Sequence, residues 1–322
     1  MPIPIFGEYL AADMRAVDAV IRRRLESNVA LVRTVAEHII GSGGKRLRPA
    51  LVILSAGAFG YQGSHHHELA AVVEFIHTAT LLHDDVVDAS DLRRGKATAN
   101  ALFGNAASVL VGDFVYSRSF QMMVDIGNMR IMQVLAEATN VISEGEVLQL
   151  MNCHDPDIEE QNYLQVIRYK TAKLFEASTR LGAILGGATA EQETAMACYG
   201  THLGTAFQLI DDVLDYSGDN RNTGKNVGDD LAEGKPTLPL LYAIKHGNAD
   251  ERALVKGAIE RGGLEDLPQV MAAIERTGAL QYTRRQAEAE AHAAEAALEH
   301  MPNSKQRDYL LQLAGFAVSR NF

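Results

Sequence analysis

The spacing of proline constrains the fold of this 322-residue chain more than any other single feature. Only eight prolines occur, and none lies between Pro49 and Pro156 or between Pro156 and Pro236. Proline disrupts a helix interior because it lacks a backbone N–H and clashes with the preceding turn. Tryptophan is absent, aromatic residues are sparse, and Ala, Leu, Glu, Gln and Met are abundant. These features are typical of an all-α protein.

Apolar residues at helical spacing divide the chain into consecutive predicted helices. These helices cover residues 8–40, 49–59, 68–88, 106–126, 129–151, 158–185 and 190–216, with shorter helices from 238 onward. The chain contains no fixed-period repeat of the solenoid kind, and no long linker interrupts it. We therefore expect one helical domain over residues 1–322.

Charge and cysteine content exclude several classes of protein. The net charge is −11, which argues against a nucleic-acid-binding protein because such proteins need a basic face. Two cysteines are too few for a disulfide framework, so we expect a reducing, cytoplasmic location. The N-terminal segment has no signal-peptide pattern. No apolar run is long enough to span a membrane, although an apolar substrate from the membrane surface is compatible with this pattern.

Three aspartates, Asp84, Asp85 and Asp88, lie within an apolar helical run. Asp84 and Asp88 are one helical turn apart and therefore share a helix face. Aspartate is about 0.7 kcal/mol less favourable than alanine in a helix, and like charges at this spacing add a further penalty. Because a bound cation would offset this repulsion, we expect the helix to bind one. Clustered carboxylates suit hard divalent ions such as Mg²⁺.

The same arrangement occurs a second time, at Asp211, Asp212 and Asp215. One such motif is often only a solvated helix end, whereas two matched copies favour function. The simplest geometry places the two helices opposite each other across a cavity, with divalent ions between the clusters. Mg²⁺ usually completes its coordination with water and substrate phosphate, so the pair of motifs predicts a diphosphate substrate.

Basic residues surround the two acidic motifs in the sequence. Each of them alone would be interpreted as an ordinary surface residue, but as a set they suit a phosphate-binding site. The set consists of Lys45, Arg48, Arg93, Arg94, Lys170, Lys225 and Lys235. Lys45 and Arg48 lie where a glycine-rich loop enters a helix, an arrangement that favours phosphate binding through the helix N-terminus.

Six segments together resemble the trans-isoprenyl diphosphate synthases. They are 44–49 (GKRLRP), 81–88 (LLHDDVVD), 93–95 (RRG), 170–171 (KT), 208–215 (QLIDDVLD) and 224–237 (GKNVGDDLAEGKPT). The resemblance extends in unbroken order from about residue 8 to the C-terminus. It implies an all-α, single-domain bundle of antiparallel helices around a deep central cavity, the isoprenoid synthase fold, assembled as a homodimer. It also implies Mg²⁺-dependent 1'-4 condensation of isopentenyl diphosphate onto an allylic diphosphate.

The resemblance assigns roles to individual residues. The six aspartates, Asp84, Asp85, Asp88, Asp211, Asp212 and Asp215, would hold the allylic diphosphate through Mg²⁺, with three ions when diphosphate is bound. The basic residues that would assist them are Arg93, Lys170, Lys225 and Lys235. Isopentenyl diphosphate would be held by Lys45, Arg48, His77 and Arg94. Thr171 and Gln208 would place oxygen atoms near the allylic carbocation. His77 departs from many relatives, which carry glutamine at this position.

Small side chains before the first motif predict a long product. Ala79 and Thr80 precede Asp84 where short-chain relatives carry bulky aromatic residues. The resemblance to long-chain bacterial members implies farnesyl diphosphate as primer and an octaprenyl (C40) product for the ubiquinone side chain, handed over at the membrane surface. Met123 is a candidate for the tunnel floor, with ordinary core packing as the alternative. A C45 product and a shorter farnesyl or geranylgeranyl product remain alternatives.

Two other functions and one other metal site are alternatives to this hypothesis. A class I terpene cyclase usually replaces the second aspartate motif, and a non-catalytic partner subunit loses aspartates, whereas both motifs are complete here. The run His65-His66-His67 has the composition of a weak metal site, but we favour an exposed polar loop.

Overall fold

The structure is a computed structural model that describes residues 4–6, 8–41, 44–93, 95–217 and 227–320. The helices of the first part are α1 Ala11–Arg24, α2 Ala30–Gly41, α3 Leu47–Ala58, α4 His65–Val87, α5 Ala99–Phe103, α6 Asn105–Ile126 and α7 Met129–Asn152. The later helices are α8 Glu160–Ile167, α9 Lys173–Leu185, α10 Ala190–Asp215, α11 Asp229–Ala232, α12 Leu238–His246, α13 Ala249–Arg261, α14 Leu267–Thr277, α15 Ala279–Ala297 and α16 Lys305–Ser319. The prediction of an all-α protein is confirmed.

Three short elements accompany these helices. Pro4–Phe6 forms a 3₁₀ turn, and Arg168–Ala172 forms a π-helical turn between α8 and α9. Strands β1 Leu92–Arg93 and β2 Lys96–Ala97 pair antiparallel as a small hairpin. The predicted helix at 158–185 therefore exists, but its middle turn is wider than an α-helical turn.

Two boundaries differ from the sequence-based expectation. The segment predicted as one helix at 8–40 forms α1 and α2. Between them, Ser27 Oγ accepts a hydrogen bond of 3.1 Å from the backbone N–H of Val29, and such side-chain bonds compete with helix continuation. The histidine run predicted as a loop instead forms the first turn of α4, in which His66 and His67 are half-buried.

The first of two compact units comprises Met1–Thr139, Leu174–Gly200 and Ala297–Leu313. Helix α4 is central to this unit, because it packs against α1, α3 and α6. Residues 69–76 of α4 are all buried. Within this stretch, the carboxylate of Glu74 forms an ion pair with Arg46. Burial on several sides holds α4 in one position, so the aspartates at its C-terminal end are anchored to a rigid element.

The second unit comprises Asn140–Lys173, Thr201–Ala296 and Ala314–Phe322. One buried apolar cluster joins α12, α13 and α14 around Leu240, Val255 and Val270. A second cluster includes Tyr163, Ile167, Leu209, Ile210 and Leu238. The second cluster packs α8 against α10 and so brings side chains of α8 next to the second aspartate motif. The prediction of one helical domain over residues 1–322 stays a prediction.

No helix in the described part of the chain is both long and apolar enough to cross a membrane.

Candidate active site

The first aspartate motif lies at the C-terminal end of α4. The helix ends at Val87, and the backbone N–H of Asp88 donates to the carbonyl of Asp84 at 2.8 Å. Asp84 and Asp88 are half-buried, whereas the side chain of Asp85 is fully buried. The three carboxylates therefore have different surroundings, because Asp85 lies about 100° around the helix from Asp84.

The β1–β2 hairpin returns the chain toward this motif. Leu92 pairs with Ala97 and Arg93 with Lys96, and Gly95 in the turn has a φ of 73°. Arg93 donates from Nε and Nη2 to Asp85 Oδ1, at 2.9 and 2.7 Å. Burial raises the pKa of Asp85, and the hydrogen bonds from Arg93 oppose that shift. The hairpin thus supplies the positive charge that a buried carboxylate requires.

The second motif lies at the C-terminal end of α10. Asp212 is buried, accepts a short hydrogen bond from the hydroxyl of Tyr163, and accepts a second bond of 2.9 Å from Gln208 Nε2. Burial, together with the negative charge of Asp230, raises the pKa of Asp212 to about 8. A buried carboxylate among other acidic groups favours the arrival of a proton or a cation.

The flanking aspartates of this motif have partners from the end of the chain and from α11. Arg320, itself buried, donates from Nη2 to Asp211 Oδ1 at 2.6 Å, and its guanidinium stacks 3.6 Å from the Phe207 ring centre. Asp215 Oδ2 accepts a bond of 3.2 Å from the backbone N–H of Asp230. The motif is therefore held by side-chain and backbone groups that lie far from it in sequence.

Thr171 and Gln208, which the resemblance assigns to the site, are hydrogen-bonded to each other in the structure. Thr171 Oγ1 donates to Gln208 Oε1 at 3.0 Å. Since Gln208 Nε2 also donates to Asp212, a continuous hydrogen-bonded row runs from Thr171 to the second motif. Thr171 belongs to the π-helical turn, and such turns frequently occur at functional sites.

Close packing of α7 accompanies the π-helical turn. A Cβ added to Gly145 would lie 2.7 Å from the backbone nitrogen of Lys170 and 2.8 Å from the Cβ of Tyr169. Lys170 extends from the same turn and forms an ion pair of 2.6 Å with Glu146. Only a residue without a side chain lets the backbone of α7 approach the turn this closely.

The predicted phosphate-binding residues lie on different elements and have different contacts. Lys45 precedes α3, and Arg48 lies in its first turn, with its guanidinium carbon 4.7 Å from the ring centre of Phe175. Helix α3 therefore starts where the glycine-rich loop was expected to enter it. Lys235 forms an ion pair with Glu233. Arg94 and Lys225 lie outside the described residues.

The predicted chain-length residues lie on α4 and α6. Ala79 and Met123 are each 1% exposed, and Thr80 is half-buried, with its hydroxyl donating to the carbonyl of His77 at 2.9 Å. Their burial fits both a tunnel lining and ordinary core. The assignments of Ala79, Thr80 and Met123 to product length stay predictions.

Sequence reasoning missed three residues that contact the site. Tyr163 binds Asp212, Arg320 binds Asp211, and Glu146 binds Lys170. The sequence partly indicates Tyr163, because it lies two helical turns before the predicted site residue Lys170 and therefore on the same helix face. It does not indicate Arg320, because the contact of Arg320 depends on where the last helix packs.

Comparisons with known proteins identify the family. The family model of the polyprenyl synthetases matches residues 29–276. The chain belongs to this family. It is 54% identical over 322 residues to octaprenyl diphosphate synthase of Escherichia coli (strain K12), with 100% of both chains covered. The predicted family membership is confirmed, and this chain is a prenyltransferase.

Solved structures of relatives share the fold. A polyprenyl synthase from Caulobacter crescentus CB15, complexed with calcium and isoprenyl diphosphate, matches with a TM-score of 0.95 and 45% identity, covering 99% of this chain and 98% of that one. A decaprenyl diphosphate synthase from Rhodobacter capsulatus matches with a TM-score of 0.93 and 48% identity, covering 98% of each chain. The expected isoprenoid synthase fold is confirmed.

Proposed function

We propose that this prenyltransferase condenses isopentenyl diphosphate with an allylic primer, farnesyl diphosphate, in repeated 1'-4 steps to give all-trans octaprenyl diphosphate. The observation that carries the proposal is the complete second motif, in which Thr171 and Gln208 are hydrogen-bonded in a row to Asp212. A relative named for the octaprenyl product is 54% identical over the whole chain.

The aspartates of both motifs have the chemistry to bind Mg²⁺. Oδ2 of Asp85 is buried and has no hydrogen-bond partner among the described residues. The pKa of Asp212 is raised first by burial of its carboxyl group and second by the negative charge of Asp230. Oxygen donors of this kind suit a hard divalent ion. We propose three Mg²⁺ ions when diphosphate is bound, held by Asp84, Asp85, Asp88, Asp211, Asp212 and Asp215.

Bound Mg²⁺ would neutralise the charge that develops on the diphosphate as the carbon–oxygen bond breaks. The carbon left behind becomes electron-poor, and oxygen atoms with fixed dipoles can stabilise it. The hydrogen bond between Thr171 and Gln208 fixes two such oxygens on adjacent helical segments. Their fixed orientation avoids the cost of reorganising them during the reaction.

Basic side chains would hold the diphosphate groups of the two substrates. Arg93, Lys170, Lys225 and Lys235 are proposed for the allylic diphosphate, and Lys45, Arg48, His77 and Arg94 for isopentenyl diphosphate. Charge-assisted hydrogen bonds to phosphate are about twice as strong as neutral ones. Lys170 and Lys235 form ion pairs with Glu146 and Glu233, so binding of a diphosphate would exchange a carboxylate for a phosphate partner.

We also propose a cytoplasmic homodimer whose product is handed over at a membrane surface to a quinone pathway. The product retains a charged diphosphate and a long apolar tail, and such an amphiphile partitions to a lipid interface.

The test is incubation of the pure protein with farnesyl diphosphate, labelled isopentenyl diphosphate and Mg²⁺, with product length read by chromatography. Asp84→Ala should lower turnover by several orders of magnitude while the thermal unfolding temperature stays close to that of the wild type. Asp211→Ala should lower turnover as strongly, and it should also lower the thermal unfolding temperature because it removes the partner of the buried Arg320. The control is Asp250→Ala, which removes an exposed aspartate in the first turn of α13. An unlabelled product, or equal activity of all three variants, would overturn the proposal.

The second candidate is the same reaction with a different number of condensation steps. One Rhodobacter capsulatus relative, 48% identical, is named for a decaprenyl product, and another, 46% identical, is named for a nonaprenyl (C45) product. The same chromatographic experiment distinguishes them.

A further inference from the structure

A cluster of three metal-ligand side chains lies apart from the aspartate motifs. Asp13 belongs to α1, and His66 and His67 belong to the first turn of α4. Their carboxylate oxygen and imidazole nitrogens all lie within 4.8 Å of one another. Asp13 Oδ1 is 2.9 Å from His67 Nε2 and 3.7 Å from His66 Nε2.

We propose that Asp13, His66 and His67 bind a transition-metal ion, Zn²⁺, that links α1 to the start of α4. Two imidazoles and one carboxylate are a common protein ligand set for Zn²⁺. With Zn–N and Zn–O distances near 2.0–2.1 Å, tetrahedral ligand atoms are about 3.3 Å apart. The separations of Asp13 Oδ1 from the two imidazole nitrogens, 2.9 and 3.7 Å, lie on either side of this value, and the two imidazole ligand atoms lie within 4.8 Å of each other.

The surroundings of the cluster suit such an ion. All three ligands are half-buried, so their side chains are partly ordered while the site stays accessible. A cavity of about 260 Å³ lies beside Asp13 and His66 and provides space for a water molecule as the fourth ligand. The ring of Tyr61 packs edge-on at 5.5 Å from His66 and limits its rotation.

The proposed ion is separate from the Mg²⁺ of the reaction. His66 and Asp84 are both on α4, and 18 residues at about 1.5 Å per residue place them about 27 Å apart along the helix axis. An ion at the start of α4 would therefore act on the stability of the α1–α4 contact rather than on the diphosphate.

The test uses the full-length protein without a histidine tag, in millimolar Mg²⁺ to saturate the aspartate motifs. Zn²⁺ binding is measured by calorimetry, and Co²⁺ binding by the visible absorption that imidazole ligation produces. We expect one Zn²⁺ per chain and a higher thermal unfolding temperature with Zn²⁺. Asp13→Asn and His67→Ala should each weaken the Zn²⁺ affinity at least tenfold.

The chain supplies a matched control in His65, which is an exposed neighbour of the two ligands and lies outside the cluster. His65→Ala should keep the wild-type Zn²⁺ affinity and the Co²⁺ spectrum. Asp13→Asn is nearly isosteric, so its folding can be checked by thermal unfolding without metal. If the wild type shows no Co²⁺ absorption, or if Asp13→Asn and His67→Ala bind Zn²⁺ as tightly as His65→Ala, the proposal is wrong.

Discussion

Arg93 donates two hydrogen bonds to one oxygen, Oδ1, of the fully buried Asp85. The other oxygen, Oδ2, has no hydrogen-bond partner among the described residues. In the first aspartate motif, Asp85 is buried and bonded to Arg93 through one oxygen, whereas Asp84 and Asp88 are half-buried. Arg93 belongs to the β1–β2 hairpin, and its hydrogen bonds oppose the rise that burial causes in the pKa of Asp85. The conformation of the hairpin therefore affects the charge state of Asp85.

Loss of Arg93 should destabilise the chain. Arg93→Ala leaves the buried Asp85 without its cation, and hydrogen bonds to a charged group contribute about 1.5–3 kcal/mol. We expect the free energy of unfolding, measured in urea, to fall by about 2 kcal/mol. Adding Asp85→Asn should recover part of this loss, because the amide carries no charge to desolvate.

The control for Arg93 is Lys96→Ala, which changes the exposed cross-strand partner of Arg93. The Lys96 ammonium makes an exposed hydrogen bond to the carbonyl of Gly41, so its removal should cost less than the loss of the buried Arg93–Asp85 contact. Equal losses in the two variants would show that the Arg93–Asp85 contact contributes nothing specific.

A methyl group at Gly145 should disturb the π-helical turn. The added Cβ would lie 2.7 Å from the backbone nitrogen of Lys170, and backbone atoms cannot move aside as a flexible side chain can. Overpacking typically costs about 1–3 kcal/mol, which exceeds the gain of about 1 kcal/mol from replacing glycine in a helix. We expect Gly145→Ala to lower both the thermal unfolding temperature and kcat, since Lys170 and Thr171 share the turn.

Gly315 in α16 provides the matched control, because nothing lies within 4 Å of a Cβ added there. Gly315→Ala should leave stability unchanged or raise it by up to about 1 kcal/mol. A stable and fully active Gly145→Ala variant would contradict the structure at this contact.

The raised pKa of Asp212 predicts a pH-dependent stability in the absence of metal. This pKa is about 8 in the folded chain, against an ordinary value of 3.8. Between these values the folded chain binds more protons than the unfolded chain, so the free energy of unfolding falls as pH rises. The limiting slope for one group is about 1.4 kcal/mol per pH unit.

Thermal unfolding with a chelator at about pH 5 and about pH 7.5 tests this effect, since both values lie within the window. Asp212→Asn should reduce the loss of unfolding temperature between the two conditions, because an amide does not titrate. Asp250→Asn, at an exposed position, should retain the wild-type loss. Parallel pH profiles for Asp212→Asn and the wild type would contradict the prediction.

Product length should respond to the size of residue 79. Ala79 is buried on α4, five residues before Asp84. If its side chain faces the growing prenyl chain, the ring in Ala79→Tyr would block elongation and shorten the product to farnesyl or geranylgeranyl length. Chromatography of the dephosphorylated products measures the change.

The control for residue 79 is Ala79→Ser, which keeps the side chain small and should keep the wild-type product. Overpacking in Ala79→Tyr is expected to cost about 1–3 kcal/mol, so thermal unfolding must first establish that the variant is folded. A folded Ala79→Tyr protein that still makes the full-length product would remove Ala79 from the tunnel wall.

The helices and the aspartate motifs were predictable because both depend on short-range spacing. Helices α6 and α10 begin and end within one residue of the predicted bounds, since their apolar periodicity is continuous and a glycine lies within three residues of each end. The break after α1 was not predicted, because the apolar spacing continues across it; the segment between α1 and α2 contains the hydrogen bond from the backbone N–H of Val29 to Ser27 Oγ. The start of α4 was misplaced, because three consecutive histidines carry no apolar periodicity.

The sequence by itself determined the helical class and the presence of two matched aspartate motifs, because both depend on residue types at fixed local spacing. Thr171 and Gln208 were predicted as site residues from the family resemblance alone. Only the tertiary structure decided that Tyr163 binds Asp212, that Arg320 binds Asp211, and that Asp13 meets two histidines of α4. These contacts join residues distant in the chain, so they depend on how helices pack, which local periodicity does not specify.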